Sequence, residues 1–323
     1  GDVLWLATAS GLSRIDRQAD GSWRRSSLPL SLSPTGSVRS LNLDRHGGLW
    51  VGTVGDGLVR VDRLPTRRFG AEAGLEDVAA PAPDGVGGAF VASGCRKLFH
   101  LDGSGGARVV PLPAGGGPVP PCGISLAAEP GSSVIVRSGT RLLRVRRGML
   151  APELLAADLP LEEGPIASRP DGAVWVASRG GSIRVVSPEG RLRREIEAPA
   201  PLMSAAVGPD GALWLGGDGE VIRVRGEALE RWGASANVPR GLVRDVLPEP
   251  DGSVWIGTYG GGVGLLRGGR AERITAEQGL PDNSVSRILD DGRGRLWIST
   301  NRGVAVVRRS DLLAVAEGRA RAV

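Results

Sequence analysis

The 323-residue chain is poor in the residues that usually carry chemistry. It has two histidines, two cysteines, two methionines and one tyrosine. Two histidines, His46 and His100, are too few for a histidine metal centre, and neither lies in a nucleophile motif. A structural role is the simpler reading of each. Two cysteines exclude a disulfide framework of the kind that holds small secreted domains together. Lysine is nearly absent: Lys97 is the single one, so arginine supplies the rest of the 40 basic residues. The arginines fall in short scattered groups such as Arg67-Arg68 and Arg193-Arg194, interleaved with strand-like residues that alternation turns toward solvent. The net charge is only +5. Without clustering on one face, and without a base-reading motif, a nucleic-acid partner is excluded. No apolar run approaches the roughly 18 residues that a membrane-spanning helix needs. No secretory leader is visible either. The chain opens at Gly1-Asp2-Val3-Leu4-Trp5, already inside a repeat, which suggests a fragment of a longer protein with any export signal upstream.

What the chain has is glycine, 51 residues of it, with 23 prolines. With no collagen period, so many turn formers imply many short strands. The stretch from Gly292 to Val307 shows the unit. A glycine-rich turn leads into Leu296-Trp297-Ile298-Ser299-Thr300, a tight turn follows at Asn301-Arg302-Gly303, and a second alternating run returns antiparallel. Eight such hairpins can be aligned on one large residue, at positions 5, 50, 90, 135, 175, 214, 255 and 297, with spacings of 39 to 45. Each unit also has a short preceding run, such as Val285 to Leu289, and a weaker, more polar following one, such as Thr66 to Phe69. Four strands (A to D) repeated at about 40 residues predict an all-β fold, a β-propeller of four-stranded antiparallel blades.

Six of the eight large residues are tryptophan, on strand B, where a ring would pack on the neighbouring blade; burial of ~150–250 Å² at ~25 cal/mol/Å² is worth about 4–6 kcal/mol at most. Trp23 and Trp232 lie outside this pattern and are the freer pair. The Asp-Gly steps at 171, 210, 251 and 291 read as turn formers. Copies three and four are degenerate: Phe90 and Ile135 stand for tryptophan, 107–121 is rich in Pro and Gly, and 149–160 reads as an irregular or short helical excursion. Residues 310–318 predict one short terminal helix, with Ser310 as N-cap and Gly318 closing it.

The strings Gly279-Leu280-Pro281-Asp282-Asn283-Ser284-Val285 and Leu296-Trp297-Ile298-Ser299-Thr300-Asn301-Arg302-Gly303-Val304, around Asp291-Gly292, resemble the two-component regulator propeller repeat. Copies two, seven and eight match well, copies one, five and six in part, and copies three and four poorly. The resemblance implies a seven-bladed, non-catalytic extracytoplasmic sensor region of a membrane-bound signalling protein, hence a periplasmic location. It also implies an immunoglobulin-like domain, a membrane helix and a kinase or cyclase downstream in the parent chain, through which homodimers would form. Residues 1–323 read as a single propeller domain; with eight hairpins counted, either seven blades close and one terminal hairpin is spare, the arrangement the resemblance favours, or the ring has eight blades. Copy one lacks strand A and copy eight lacks a clear strand D.

Two other classes stay open. Streptogramin lyases are also propellers with similar repeats, and use a metal and a histidine; only His46 and His100 could serve here. A purely structural or protein-binding propeller is the other. For the sensor, B–C and D–A loops should share the face around the channel mouth. The B–C loops carry Asp56, Arg179, Asp218, Tyr259, Asn301 and Arg302; the D–A loops carry Arg240, Asp282 and Asn283. This polar rim of both charges suits a small polar ligand, such as a carbohydrate, or a protein partner, with no cofactor and no metal. Tyr259 is the foremost contact. Cys95, in a B–C loop, and Cys122, opening the next strand A, would lie on that same face, close enough for the ~4.4–6.8 Å Cα separation of a disulfide. Such a bond would fit an oxidising compartment; two free thiols are the alternative.

Overall fold

The computed structural model describes residues 3–8, 11–17, 23–28, 38–43, 49–54, 57–61, 67–76, 78–94, 97–102, 106–113, 124–129, 133–149, 151–159, 163–199, 201–226 and 228–323. In chain order the strands are Val3–Thr8 (β1), Gly11–Arg17 (β2), Trp23–Leu28 (β3); Val38–Leu43 (β4), Leu49–Thr53 (β5), Leu58–Val61 (β6), Arg67–Phe69 (β7); Val78–Pro83 (β8), Ala89–Ser93 (β9), Lys97–Leu101 (β10), Ala107–Val110 (β11); Ile124–Ala128 (β12), Ser133–Ser138 (β13), Arg141–Arg146 (β14), Glu153–Ala156 (β15). They continue as Ile166–Ser168 (β16), Val174–Ala177 (β17), Ser182–Val186 (β18), Leu192–Glu197 (β19); Ser204–Val207 (β20), Leu213–Gly216 (β21), Val221–Arg225 (β22), Ala228–Trp232 (β23); Val243–Pro248 (β24), Val254–Thr258 (β25), Gly262–Arg267 (β26), Arg270–Ile274 (β27); and Val285–Asp290 (β28), Arg295–Thr300 (β29), Gly303–Arg308 (β30). One helix, Arg309–Ala316 (α1), follows.

Each group is an antiparallel sheet in simple sequence order, and all eight aligned hairpins form. Six sheets are four-stranded among the described residues, where seven or eight such blades were expected. Among the described residues, the first sheet, β1–β3, has no strand before its hairpin, and the last, β28–β30, has none after its own. The first strands of the six full sheets and of the last sheet neighbour one another in order, β4, β8, β12, β16, β20, β24 and β28, and β28 lies again beside β4. These are the innermost strands of a propeller. The extra sheet sits with β1 beside β30.

The large residue of strand B builds the contact between blades. Trp50, Phe90, Ile135, Trp175, Trp214, Trp255 and Trp297 are all buried. Trp255 shares one apolar cluster with Val285, Ile288, Leu296 and Ile298 of the next sheet. Trp214 does the same with Val243, Val246, Val254 and Ile256, and Trp175 with Leu213 and Leu215. Trp232 is not free: it is half-buried on β23 and stacks on Trp214 at 5.4 Å between centroids. Trp5 and Trp23 have no described side chains.

Polar side chains add ties one repeat apart. Asn42 Nδ2 donates to the Pro81 carbonyl at 2.9 Å. Ser125 Oγ reaches Gly164 O, Arg137 Nη1 reaches Ala177 O, and Ser204 Oγ reaches Val243 O. Each reaches a backbone carbonyl of the next blade, and Ser125 and Ser204 do so from the same place in the repeat.

The Asp-Gly turns behave as the sequence implies. Asp171, Asp210, Asp251 and Asp291 each accept, through Oδ1, the backbone N–H two residues on. The following glycines hold φ between 67° and 83°, which an L side chain resists.

Two expectations are corrected. Residues 149–160 contain a strand, β15, rather than a helical excursion: it pairs with β14 across a register shift at Leu142/Leu143, and Leu155 is buried. The helix runs over Arg309–Ala316, and its N-cap lies two residues before the expected Ser310. Arg308 is its N-cap and makes no side-chain cap, while Ser310 Oγ bonds Asp311 Oδ1. Gly318 does close it, at φ 70°: its N–H reaches Val315 O and the Arg319 N–H reaches Ala314 O, a Schellman motif.

Candidate functional site

The B–C and D–A loops share one face and are stitched together there. Tyr259, in the β25–β26 turn, is the link between two D–A loops. Its N–H donates to Leu242 O at 2.9 Å in the loop that enters β24, and it forms a bridge with Ser284 in the loop that enters β28. Gly260 and Gly262 both donate to Asn283 O, at 3.0 and 2.8 Å. Approach this close leaves no room for a side chain at Gly241, where a Cβ would lie 2.3 Å from Tyr259 O and φ is +98°. The same arrangement recurs: Asp218 bridges Leu242, and Arg179 donates through its N–H to Glu163 O and accepts from Leu202 N–H. Loops tied on both sides present their side chains in fixed positions.

Tyr259 is 48% exposed, and the Arg244 guanidinium lies 5.1 Å from its ring centroid, a cation–π contact. Arg302, exposed in the β29–β30 turn, places Nε 3.6 Å from Asp282 Oδ2. Asp282 Oδ1 accepts Ser284 N–H, and Asn283 Oδ1 accepts Ala276 N–H at 2.7 Å, so both side chains are spent partly on shaping their own loop. Asn301, Arg240, Asp218 and Arg179 are exposed. The structure therefore brings Tyr259, Asn283, Asp282 and Arg302 together, and sets Asp218 beside the loop of Arg240. Arg179 belongs to the same face in an earlier sheet. Asp56, Cys95, Cys122 and His46 lie outside the described residues.

The innermost strands also carry charges that the sequence pattern does not reveal. Asp245 on β24 is 4% exposed. Its Oδ1 accepts Arg287 Nη1 at 3.0 Å and its Oδ2 accepts Ile288 N–H at 2.7 Å, both from β28. Burial pushes the Asp245 carboxyl above the ordinary range, against the pull of Arg287 and of the Ile288 and Val246 amides. Simple alternation hides this residue, because β24 shifts register between Val243 and Asp245 and so turns both Asp245 and Val246 inward.

His100 is structural in its surroundings. Its Nε2 lies 2.9 Å from Asp84 Oδ2, with both residues buried, and its ring packs at 4.7 Å on Phe90. Burial opposes ionisation of Asp84, but the Val86 N–H, His100 and the Gly88 N–H together hold its carboxyl below the ordinary range. The pair occupies a place in the repeat filled elsewhere by arginine and an acid. Arg144 lies 2.9 Å from Glu129, and Arg223 pairs with Asp210 while lying over Trp214. Among the described residues no group of three His, Cys, Asp or Glu could hold a metal ion, and no helix is long and apolar enough to cross a membrane.

Residues 31–55 and 279–302 match the profile of the two component regulator propeller. Among solved structures, the chain is similar to the extracellular domain of the putative hybrid two component system BT3049 from B. thetaiotaomicron, at 13% identity and a TM-score of 0.71, over 98% of this chain and 51% of that one. The corresponding domain of BT4673 from the same organism gives 15% identity and 0.65, over 85% and 38%. A streptogramin B lyase structure gives 16% identity and 0.66, over 85% of this chain and 94% of that one. No curated protein sequence matches. The chain spans about half or less of the two extracellular domains, and identities this low establish the fold alone.

Proposed function

We propose that this chain, which carries two component regulator propeller repeats, is a ligand-binding sensor propeller in the extracytoplasmic part of a membrane-bound signalling protein, and that it performs no chemistry of its own. The observation that carries the reading is the stitched rim. Tyr259 is anchored by backbone bonds to two D–A loops and carries an exposed ring beside Arg244 and within one loop of the Arg302–Asp282 pair. A rigid ring edge flanked by guanidinium groups suits a small polar ligand, taken by stacking and bidentate hydrogen bonds. The seven innermost strands that follow one another from β4 to β28 and back support seven-fold closure, with the β1–β3 sheet as the spare unit. His100, filling an arginine place in the repeat, supports a structural role over that of a lyase base.

The test is a signalling reporter driven by the parent protein. Tyr259→Ala with Arg302→Ala should abolish the response while the purified chain keeps its circular dichroism spectrum. An unchanged response with an intact fold sinks the rim assignment.

A further inference from the structure

On the face opposite the rim, a cleft of about 670 Å³ opens between the last sheet and α1, lined by Arg293, Gly294, Arg295, Arg308, Arg309, Ser310 and Leu313. It is a volume suited to a small ligand. Four of its seven residues are arginine, and no carboxylate lines it.

The charges here are arranged at a cost. Arg295 and Arg308 are direct partners in the β29–β30 register, and like charges directly opposite in an antiparallel pair are destabilising. Three of the nearby acids are already used. Asp291 holds Arg295 at 2.6 Å, and Glu249 and Asp290 hold Arg309 at 3.0 and 2.7 Å. Those bonds orient two guanidinium groups from behind. Arg293 and Arg308, both exposed, have no carboxylate partner among the described residues, and the buried Nε of Arg309 has no hydrogen-bond partner. Ser310 lies at the uncapped start of α1, with its hydroxyl already bonded to Oδ1 of the exposed Asp311. The group therefore holds two guanidinium groups fixed by acids and two left unpaired, around one opening.

We infer that this cleft is an oxyanion site, taking a small ligand that carries two or more carboxylate or phosphate groups. Planar guanidinium groups recognise such groups through paired N–H donors, and an anion between Arg295 and Arg308 relieves their repulsion. The site is separate from the rim and does not depend on it, since Tyr259 and Arg302 belong to the opposite ends of the strands.

The probes are inorganic pyrophosphate and citrate, titrated calorimetrically into the 323-residue chain at low salt. Two variants accompany them: Arg293→Ala with Arg308→Ala, which removes the two unpaired cations and leaves the ion pairs of Arg295 and Arg309, and Tyr259→Ala with Arg302→Ala. Saturable binding of one or both probes, weakened at least tenfold in the first variant and unchanged in the second, supports the site; which probe binds separates phosphate from carboxylate preference. Absence of binding to the unaltered chain, or binding within twofold in the Arg293/Arg308 variant, overturns it. Equal loss in the rim variant also overturns it, because the anion would then sit at the other face.

Discussion

At the scale of single residues, the fold depends on side chains that each connect one blade to the next. Trp255 is 1% exposed and packs on the following sheet. Trp255→Ala should lower unfolding stability by about 3–5 kcal/mol, the cost of a large ring removed from a close-packed site; chemical denaturation measures it, and a loss below about 1 kcal/mol would deny the ring its inter-blade role. These tryptophans were legible in the sequence, because one large residue recurring about every 40 positions has no other economical reading. So were the aspartates of the Asp-Gly turns, since the local bond they make needs only two neighbouring residues. Asp245 was not legible. Its burial comes from a register shift, and its partners Arg287 and Ile288 stand on another blade. Its carboxyl is raised above the ordinary value of 3.8, so the folded state holds that proton more tightly than the unfolded chain does. The stability this lends is fully present below the ordinary value and is lost as pH rises through the raised one. Relative to Asp245→Asn, the unaltered chain should therefore lose stability as pH rises from about 4. Unfolding free energies of both proteins across that range check the sign, and a difference that moves in favour of the unaltered chain would contradict the assignment.

At the scale of elements, the strands were read well and their ends less so. Hairpins announce themselves through alternation and a glycine turn, and all eight formed. Strand β15 escaped notice because Glu153–Ala156 has neither alternation nor a turn signal of its own; pairing with β14 makes it a strand. The start of α1 was misplaced for a related reason. Ser310 is a good N-cap by type, but Arg309 N–H bonds Gly294 O across the adjoining turn, which sets the first helical residue from outside the helix. The end of α1 was correctly read, since a left-handed glycine is a local requirement. Gly318→Ala should destabilise the chain by about 1–2 kcal/mol through the strain of φ at 70°. Because α1 places Leu312 in the cluster that also holds Trp255, tryptophan fluorescence should report earlier unfolding. A variant as stable as the parent would show that the helix end carries no such constraint.

At the scale of the whole molecule, four-stranded blades could be read from the repeat, whereas closure could not. Periodicity counts hairpins; it does not say which sheet lacks a strand or where the first hairpin lies. The nearness of the B–C and D–A loops was legible to the same degree. Knowing that B–C and D–A loops share a face was enough to bring Tyr259, Asn283 and Arg302 together, but the contribution of Arg244 depends on a cation over a ring that no spacing encodes. Under the proposed sensor function, a propeller whose loops are tied on both sides would pass on binding by shifting its contacts with neighbouring domains rather than by remodelling blades. The most direct test follows from this. The polar compound that induces the reporter is incubated with the purified chain, and bound and free compound are followed by mass spectrometry alongside calorimetry. The account predicts saturable binding, lost in the Tyr259→Ala, Arg302→Ala variant, with the compound recovered unchanged; product formed over many turnovers would contradict it.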